Sequence, residues 1–596
     1  MILTNQKSIA VLPLENLSSD PENEYFSDGM TEEIINALTT IKGLKVTART
    51  SSFAYKNKRK DVRHIGNELG VSLVLEGSIR KSGDNVRITT QLIRTDNGFH
   101  IWSENFDRKL NDIFVLQDEI SLLVADKIRE NYGHLDIDEH LVESPTQNVE
   151  AYNLYLKGRY HQLKWNAHDF HLAVKYYNQS IEQDPNFSLP YFGAGLCYGI
   201  MASWRFMPYQ EGIQKAKEYL SQGLVLNQES HLSHFATATV ELWGKWNFKN
   251  GHIHLTKSIA YNPSFTDAEE GLAELYTAIG DFEKAMQHAE HILLINPFSP
   301  NHFYTKGNIE YLSGKYDLSI SSMQSALKID PDFSLAIEVI ALCYILKKDK
   351  KKLEEYLDQT MVENPTACRA LFKLMYPDST YDFDLSNFDL SLVSREELIP
   401  WHLYLQVHLG NIGLAFEILE ESIAEKSGQI INFQNDPFLS PLRSLDAYQQ
   451  LVAEVFDPDL LPEVSDLENT ESTSRKSLMT SDESDQLLKN LEQSMKVEKL
   501  YLDASLSLRT LAEKLGTHAN KLSWLVNNQI CQNFSDYVNT YRLMEFQKRV
   551  FIPENSHLTI LGLAYESGFN SKSVFNTFFK KNTGMTPKEW VKKHEK

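Results

Sequence analysis

Apolar and polar positions follow three different rhythms along this chain. Between Ser8 and Tyr132, short apolar runs alternate with helically spaced segments. Ser8-Ile-Ala-Val-Leu-Pro13 reads as a buried strand and Leu44–Ala48 as a second. Glu24 to Ile41 puts Phe26, Met30, Ile34, Ile35 and Leu38 on one helical face, and Val62–Leu69 is a short helix closed by Gly70. Ser72–Arg80, Asn85–Arg94 and His100–Phe106 are rich in β-formers, with Lys81-Ser-Gly-Asp84 as a hairpin turn between the first two. Asp112–Asn131 ends the region as an amphipathic helix. Strands interleaved with helices predict one α/β module over residues 1–135.

The second rhythm is a repeat, predicted over residues 145–456. Proline follows Asn or Asp at Asp184-Pro185, Asn262-Pro263, Asn296-Pro297, Asp330-Pro331 and Asn364-Pro365, and the last four prolines are 34 residues apart. That period belongs to tetratricopeptide repeats, one antiparallel helix pair per unit. In the clearest unit Gly271, Ala278 and Ala285 allow close helix approach, while Tyr276, Phe282 and Leu293 fill the space between. Each proline is expected to end a second helix, which it cannot continue. The stretch from Pro185 to Pro263 has room for two longer repeats, and Leu398–Ser427 reads as a further pair after an irregular acidic stretch at Asp378–Asp389.

Residues 457–485 are rich in Ser, Thr, Asp and Glu and poor in aromatics, the pattern of a flexible acidic linker. The charge sign changes after it. The whole chain carries −21, but Asp485–Lys596 holds 16 Lys+Arg against 11 Asp+Glu, which leaves −26 on the rest. A basic terminal domain on an acidic body favours an anionic partner at that end.

Within residues 486–596 one pattern occurs twice: Leu508-Arg-Thr-Leu511-Ala512-Glu-Lys-Leu515-Gly516 and Ile560-Leu-Gly-Leu563-Ala564-Tyr-Glu-Ser-Gly568. A small Ala admits a second helix at close range, and Gly four residues on permits the left-handed turn into it. The second helices, near Ala519–Asn528 and Ser571–Lys581, present apolar residues to a core. Their opposite faces are polar. Asn520, Lys521, Ser523 and Asn527, with an unusual Trp524, lie on the first, and Lys572, Ser573, Asn576 and Thr577 on the second. This is a helix-turn-helix written twice, 52 residues apart, and those nine residues are the candidates for base edges in successive major grooves. Ser507 and Thr559 are placed to cap the first helix of each motif, whose N-termini would face phosphate, with Lys580 and Lys581 adding charge.

Asn533-Phe-Ser-Asp-Tyr-Val-Asn-Thr-Tyr-Arg542 and Gly568–Pro587 closely resemble the AraC/XylS DNA-binding domain over about Leu500–Lys593. The resemblance implies a transcription regulator that binds asymmetric sites through both motifs. Family base contacts carried over by position fall on Asn520, Ser523, Trp524, Lys572, Ser573, Asn576 and Thr577. Three positions depart: Cys531 stands where Gly is common, and Thr577 and Val591 stand where Arg is common. Ser8–Ser18, Tyr25–Glu33, Ala48–Phe53 and Val74–Ser78 resemble the FlgO/TolB N-terminal-like module, which often precedes tetratricopeptide arrays, including in some proteins labelled adenylate cyclases.

Composition narrows the rest. With 42% hydrophobic and 23% charged residues the chain is an ordinary globular mixture, no run of 18 apolar residues spans a membrane, and Met1–Leu17 lacks the features of a signal peptide. Cys197, Cys343, Cys368 and Cys531 are scattered without a C-x-x-C, so a reducing cytoplasm is expected. His161, His168, His171, His288 and His291 read as helix-surface histidines rather than metal ligands, and Gly193-Ala-Gly195 as helix packing rather than phosphate binding. The expected protein is multidomain: an α/β module, an all-α tetratricopeptide solenoid and an all-α double helix-turn-helix domain. Its expected partners are double-stranded promoter DNA and a protein or peptide held by the repeats, with a homodimer left open. It is expected to have no cofactor, metal, membrane or enzymatic activity. The alternative is a protein-interaction scaffold with a vestigial DNA-binding domain.

Overall fold

The computed structural model describes residues 7–595 apart from 21–22, 143, 165, 204–205, 229, 264, 379–380, 382, 386–387, 391–392, 394–396 and 457–478. Its first unit is a sheet with helices on it. The strands are β1 (Ser8–Val11), β2 (Glu15–Asn16), β3 (Lys45–Val46), β4 (Leu73–Ser82), β5 (Asn85–Arg94) and β6 (His100–Lys109). Their order is β3-β1-β4-β5-β6, with β2 beside β4. The β1 pairs are parallel because a helix connects each strand to the next, while β4, β5 and β6 form an antiparallel meander around a turn at Gly83 and Asp84. Helices α1 (Glu24–Thr39) and α4 (Ile113–Tyr132) supply Phe26, Met30, Ile34, Ile120 and Val124 to the buried face. Two further helices, α2 (Arg49–Phe53) and α3 (Val62–Leu69), complete the unit. Strand β2 and helix α2 have no counterpart in the sequence expectation, being too short to show a period.

The solenoid follows as antiparallel pairs: α5 (Val149–Gln162) with α6 (Ala167–Gln183), α7 (Ser188–Ser203) with α8 (Tyr209–Leu226), α9 (His231–Thr239) with α10 (Phe248–Tyr261), α11 (Thr266–Ala278) with α12 (Phe282–Ile295), and α13 (Pro300–Leu312) with α14 (Tyr316–Ile329). Then come α15 (Ser334–Leu346), α16 (Lys350–Gln359), α17 (Pro365–Met375), α18 (Trp401–His408), α19 (Ile412–Ala424) and α20 (Asp446–Val455). Asp184, Asn262, Asn296 and Asp330 close α6, α10, α12 and α14 directly before proline, as the repeat predicts. Pro365 does the opposite. Helix α16 ends at Gln359, and Asn364 caps a new helix with its side chain on the Ala367 N–H (2.9 Å), so Pro365 opens α17. Proline fits there because the first helical N–H needs no partner. The Gly193-Ala-Gly195 step is packing: a Cβ at Gly193 would stand 2.5 Å from the Tyr177 ring.

Module and solenoid share one core. Tyr152, Tyr155, Phe170 and Tyr177 from the first repeats join the sheet residues in a single buried cluster. Around it the Glu32 carboxylate receives Arg159 and Arg49, Gln117 donates to the Tyr152 hydroxyl (2.9 Å), and the Phe298 N–H donates to Ser51 (2.9 Å).

After the solenoid, most of the expected 457–485 linker lies outside the described residues. Its last part does not behave as a linker. Thr480 forms a reciprocal cap with Glu483, and α21 (Ser481–Lys496) packs Leu487, Leu491 and Met495 into the C-terminal core. The C-terminal domain therefore includes residues before 486, as far back as the buried Met479 among the described residues. Asp482 and Glu483, read as linker, lie in the first turn of α21, where carboxylates are favourable. The domain continues with α22 (Leu508–Lys514), α23 (Ala519–Asn528), α24 (Phe534–Arg549), α25 (Ile560–Glu566), α26 (Lys572–Thr583) and α27 (Pro587–His594).

Candidate nucleic-acid interface

The two sequence motifs fold into two equivalent turns. In the first, Ser507 caps α22 by accepting from the Thr510 N–H (3.1 Å), Gly516 adopts φ +65°, and the Thr517 N–H returns to the Ala512 carbonyl (3.0 Å). In the second, Thr559 caps α25 on Gly562 (3.0 Å), Gly568 adopts φ +95°, and the Phe569 N–H returns to the Ala564 carbonyl (3.1 Å). Ala512 and Ala564 are both fully buried under the second helix of their motif.

Helix α24 makes the two motifs one body. Its first half gives Phe534, Tyr537 and Val538 to the core of the first motif, and its second half gives Leu543 and Phe546 to that of the second. The buried Arg542 guanidinium donates to the carbonyls of Tyr501 and Asp503, both at 2.8 Å, which ties α24 to the segment before α22.

The faces of the two recognition helices differ sharply. On α26, Lys572, Ser573, Asn576 and Thr577 are all exposed, and Lys580 with them. Lys581 is exposed too and pairs with Asp536 at 2.9 Å. On α23 Asn520 and Ser523 are buried and Lys521, Trp524 and Asn527 are half-buried, so the fully solvent-facing polar face expected there is not observed. Asn520 is 9% exposed and Ser523 1%. Lys521 reaches Glu483 (3.7 Å), Trp524 packs against the first motif's core, and Asn527 donates to the Ser523 carbonyl (2.9 Å).

At Asn520 the cause is the N-terminal module. Helix α4 packs on α22 and α24, and its Arg129 with the residues beyond the helix reaches α23. The Asn520 amide oxygen accepts from the Arg129 guanidinium, and its NH2 donates to the Asp136 carboxylate and the Ile137 carbonyl (3.1 Å). Arg129 is 1% exposed and bonds Asp126 as well, and burial holds its pKa below the usual guanidinium range. Arg509 on α22 reaches the other Asp126 oxygen (3.1 Å), and the Leu508 N–H donates to Glu130 (2.8 Å). Asp126, Arg129, Glu130 and Asp136 form no part of the sequence expectation. The signal available was three polar residues, Asp126, Arg129 and Glu130, at helical spacing on the inner face of α4.

Of the histidines noted in the sequence, His161 meets Asp169 (2.6 Å), His288 and His291 meet Glu269 (3.3 and 2.7 Å), and His171 meets the Ala167 carbonyl (2.7 Å). Among the described residues no group of three His, Cys, Asp or Glu could hold a metal ion, and no helix is long and apolar enough to cross a membrane.

Comparison with known proteins follows the same division. Residues 511–593 match a helix-turn-helix domain of AraC type, and residues 303–333 a tetratricopeptide repeat. Residues 5–123 match the HilA/YgeH-like transcriptional regulator, second domain, where the sequence suggested a FlgO/TolB-like module. The chain thus combines transcription-regulator domains with a protein-interaction repeat region. A curated relative, "Putative adenylate cyclase 3" of Rhizobium meliloti (strain 1021), is 38% identical over 228 residues, which is 38% of each chain. That match corrects the expectation of a chain without enzymatic activity, because a protein named for a cyclase shares this much of the sequence. Among solved structures, the tetratricopeptide protein YrrB is 18% identical with a TM-score of 0.22, covering 33% of this chain and 96% of its own. PilF of Pseudomonas aeruginosa is 12% identical with a TM-score of 0.28, covering 39% and 93%.

Proposed function

We propose that the chain is a cytoplasmic transcription regulator that reads promoter DNA through its two helix-turn-helix motifs and takes a protein or peptide partner on its helical repeats. The observation that carries the reading is the exposed face of α26, where Lys572, Ser573, Asn576 and Thr577 stand together on a helix held by its partner α25. Short amides, hydroxyls and a lysine are the side chains that pair with base edges in a major groove. Thr559, Lys580 and Lys581 flank them as phosphate contacts, and on the first motif Ser507, Asn520, Lys521, Ser523, Trp524 and Asn527 are the equivalent set. Bridging by α24 fixes the spacing between the two helices, as a reader of adjacent grooves requires. The match to the regulator domains supports the reading.

The test is selection of duplexes from a random library by the full chain, then titration of the winner and of scrambled DNA. A specific site is expected to bind about 10³-fold or more over scrambled sequence. Asn576→Ala should cost about 1–3 kcal/mol on the selected site and relax one base position. Equal binding to all sequences, lost on adding salt, would refute sequence reading.

A further inference from the structure

The DNA-facing side of the first motif is already occupied. We propose that Asp126, Arg129 and Glu130 of α4, with Asp136 beyond it, form an interaction surface whose partner is this chain's own first helix-turn-helix motif, so that the chain as folded meets DNA through the second motif alone. The inference rests on the DNA reading proposed above and adds which half of the reader is available.

Three contacts make the surface. The Asn520 amide is saturated: its oxygen accepts from Arg129, and its NH2 donates to Asp136 and to the Ile137 carbonyl. An asparagine reads adenine by offering that same donor and acceptor edge, so one amide cannot serve Asp136 and a base together. Arg509, a cation free to meet a phosphate in an undocked domain, is paired with Asp126. The Leu508 N–H is taken by Glu130. Sterics add to the pairing, since Gly133 stands against Asn527: a Cβ there would come 2.9 Å from the Asn527 amide oxygen. A recognition helix whose first turn is held by Arg129, Asp136 and Ile137 and whose Asn527 lies against Gly133 cannot enter a groove, and every α26 candidate remains exposed.

The surface is built for this one partner. Arg129 is 1% exposed and lies between Asp126 and Asn520. A guanidinium is expensive to bury without hydrogen-bond partners, and here the C-terminal domain supplies one of them. The module offers three carboxylates, Asp126, Glu130 and Asp136, to a domain whose other anionic partner would be a phosphate backbone. Release of the dock and engagement of the first motif with DNA are then alternatives.

The experiment compares the full wild-type chain with the full Glu130→Ala/Asp136→Ala chain. The probe is a fluorescein-labelled 40-base-pair duplex selected from a random library by the double variant. Exchange of the Leu508 amide reports the dock without DNA in the Asp136→Ala chain, which keeps the Glu130 acceptor. It should be slow in the wild type and faster in Asp136→Ala. The double variant should bind the duplex at least ~10-fold tighter, as expected when the competent state is a tenth or less of the population. Its hydroxyl-radical footprint should cover two grooves one turn apart, where the wild type covers one. Asp136→Ala alone, at an exposed position, should move both readouts the same way and guards against loss of fold. Equal affinity and equal two-groove footprints, with the Leu508 amide released only in Asp136→Ala, would overturn the inference and leave the DNA reading intact. Failure of both chains to bind any selected duplex would overturn the DNA reading and the inference with it.

Discussion

Gly516 and Gly568 hold the same place in the two motifs, yet alanine should cost them very different amounts. Gly516 has φ +65° and nothing within 4 Å of where a Cβ would lie. Its replacement faces only the left-handed backbone penalty, about 1–2 kcal/mol. Gly568 has φ +95°, and a Cβ there would stand 2.2 Å from the Tyr501 carbonyl oxygen, 3.0 Å from the Leu502 Cα and 3.1 Å from the Arg542 Nε. Two of those three atoms are backbone, and the third belongs to a side chain fixed by the carbonyls of Tyr501 and Asp503. Relief requires moving the 501–503 segment by about 1 Å, which adds the cost of overpacking, about 1–3 kcal/mol or more. Gly568→Ala should therefore destabilise the domain by about 2–5 kcal/mol. Hydrogen exchange of the full chain reads both, through peptides from α24 and from residues 500–511. Gly516→Ala should speed exchange there by about tenfold, since 1.4 kcal/mol is a factor of ten, and Gly568→Ala by about thirtyfold or more. If Gly516→Ala is equally or more damaging, close backbone packing does not distinguish the turns and the account fails.

Cys531 sits at φ +59°, in the left-handed region. Cys531→Gly should stabilise the C-terminal domain by about 0.5–1 kcal/mol, read as slower exchange in α23 and α24, because the left-handed conformation carries no penalty for glycine. Glu338 is buried in the solenoid, accepts one bond from the Glu363 N–H (2.7 Å), and is pushed up to about 7 by burial and by the Glu363 and Glu397 carboxylates. A carboxylate raised above its ordinary 4.5 favours the folded state fully only below that value, and the advantage is lost as pH rises through 7. Glu338→Gln should thus raise the apparent Tm at pH 8, by relieving about 2–3 kcal/mol, and change it little at pH 4.5. An equal shift at both pH values would rule out ionisation as the cause. Arg159→Met leaves Glu32 with Arg49 as its remaining cation and should cost about 3 kcal/mol. Adding Glu32→Gln should recover much of that loss, and thermal unfolding of the two variants decides it.

What sequence could and could not reveal divides by range. Gly516 and Gly568, Ala512 and Ala564, and the caps at Ser507 and Thr559 are legible because each acts within one turn of chain. The strands of the meander are legible from their β-forming residues and the turn between the first two, and in β5 alternation also records the buried face. Pro365 misleads because Asn-Pro fits both ends of a helix. Only the position of the preceding helix end, at Gln359, separates a terminator from an opener. Ser481–Asp485 reads as linker because a solvated first helical turn has the same composition, and the buried Leu487 and Leu491 that anchor it come later.

Asn520 shows what a polar helix face leaves open. A polar face on a second helix is equally compatible with water, with DNA or with another polar surface of the same chain. Composition did hold the clue in coarse form, since a domain of +5 on a body of −26 has an attractive partner before any DNA arrives. Covalent connection makes that contact intramolecular, so few bonds suffice to populate it. Its residues also explain why it selects one motif. Asp126, Arg129, Glu130 and Asp136 cluster where α4 ends, and that site meets α22 and α23. The second motif, on the far half of α24, stays outside that reach and keeps its polar face in solvent. The asymmetry between the two motifs is thus set by which of them lies against the module.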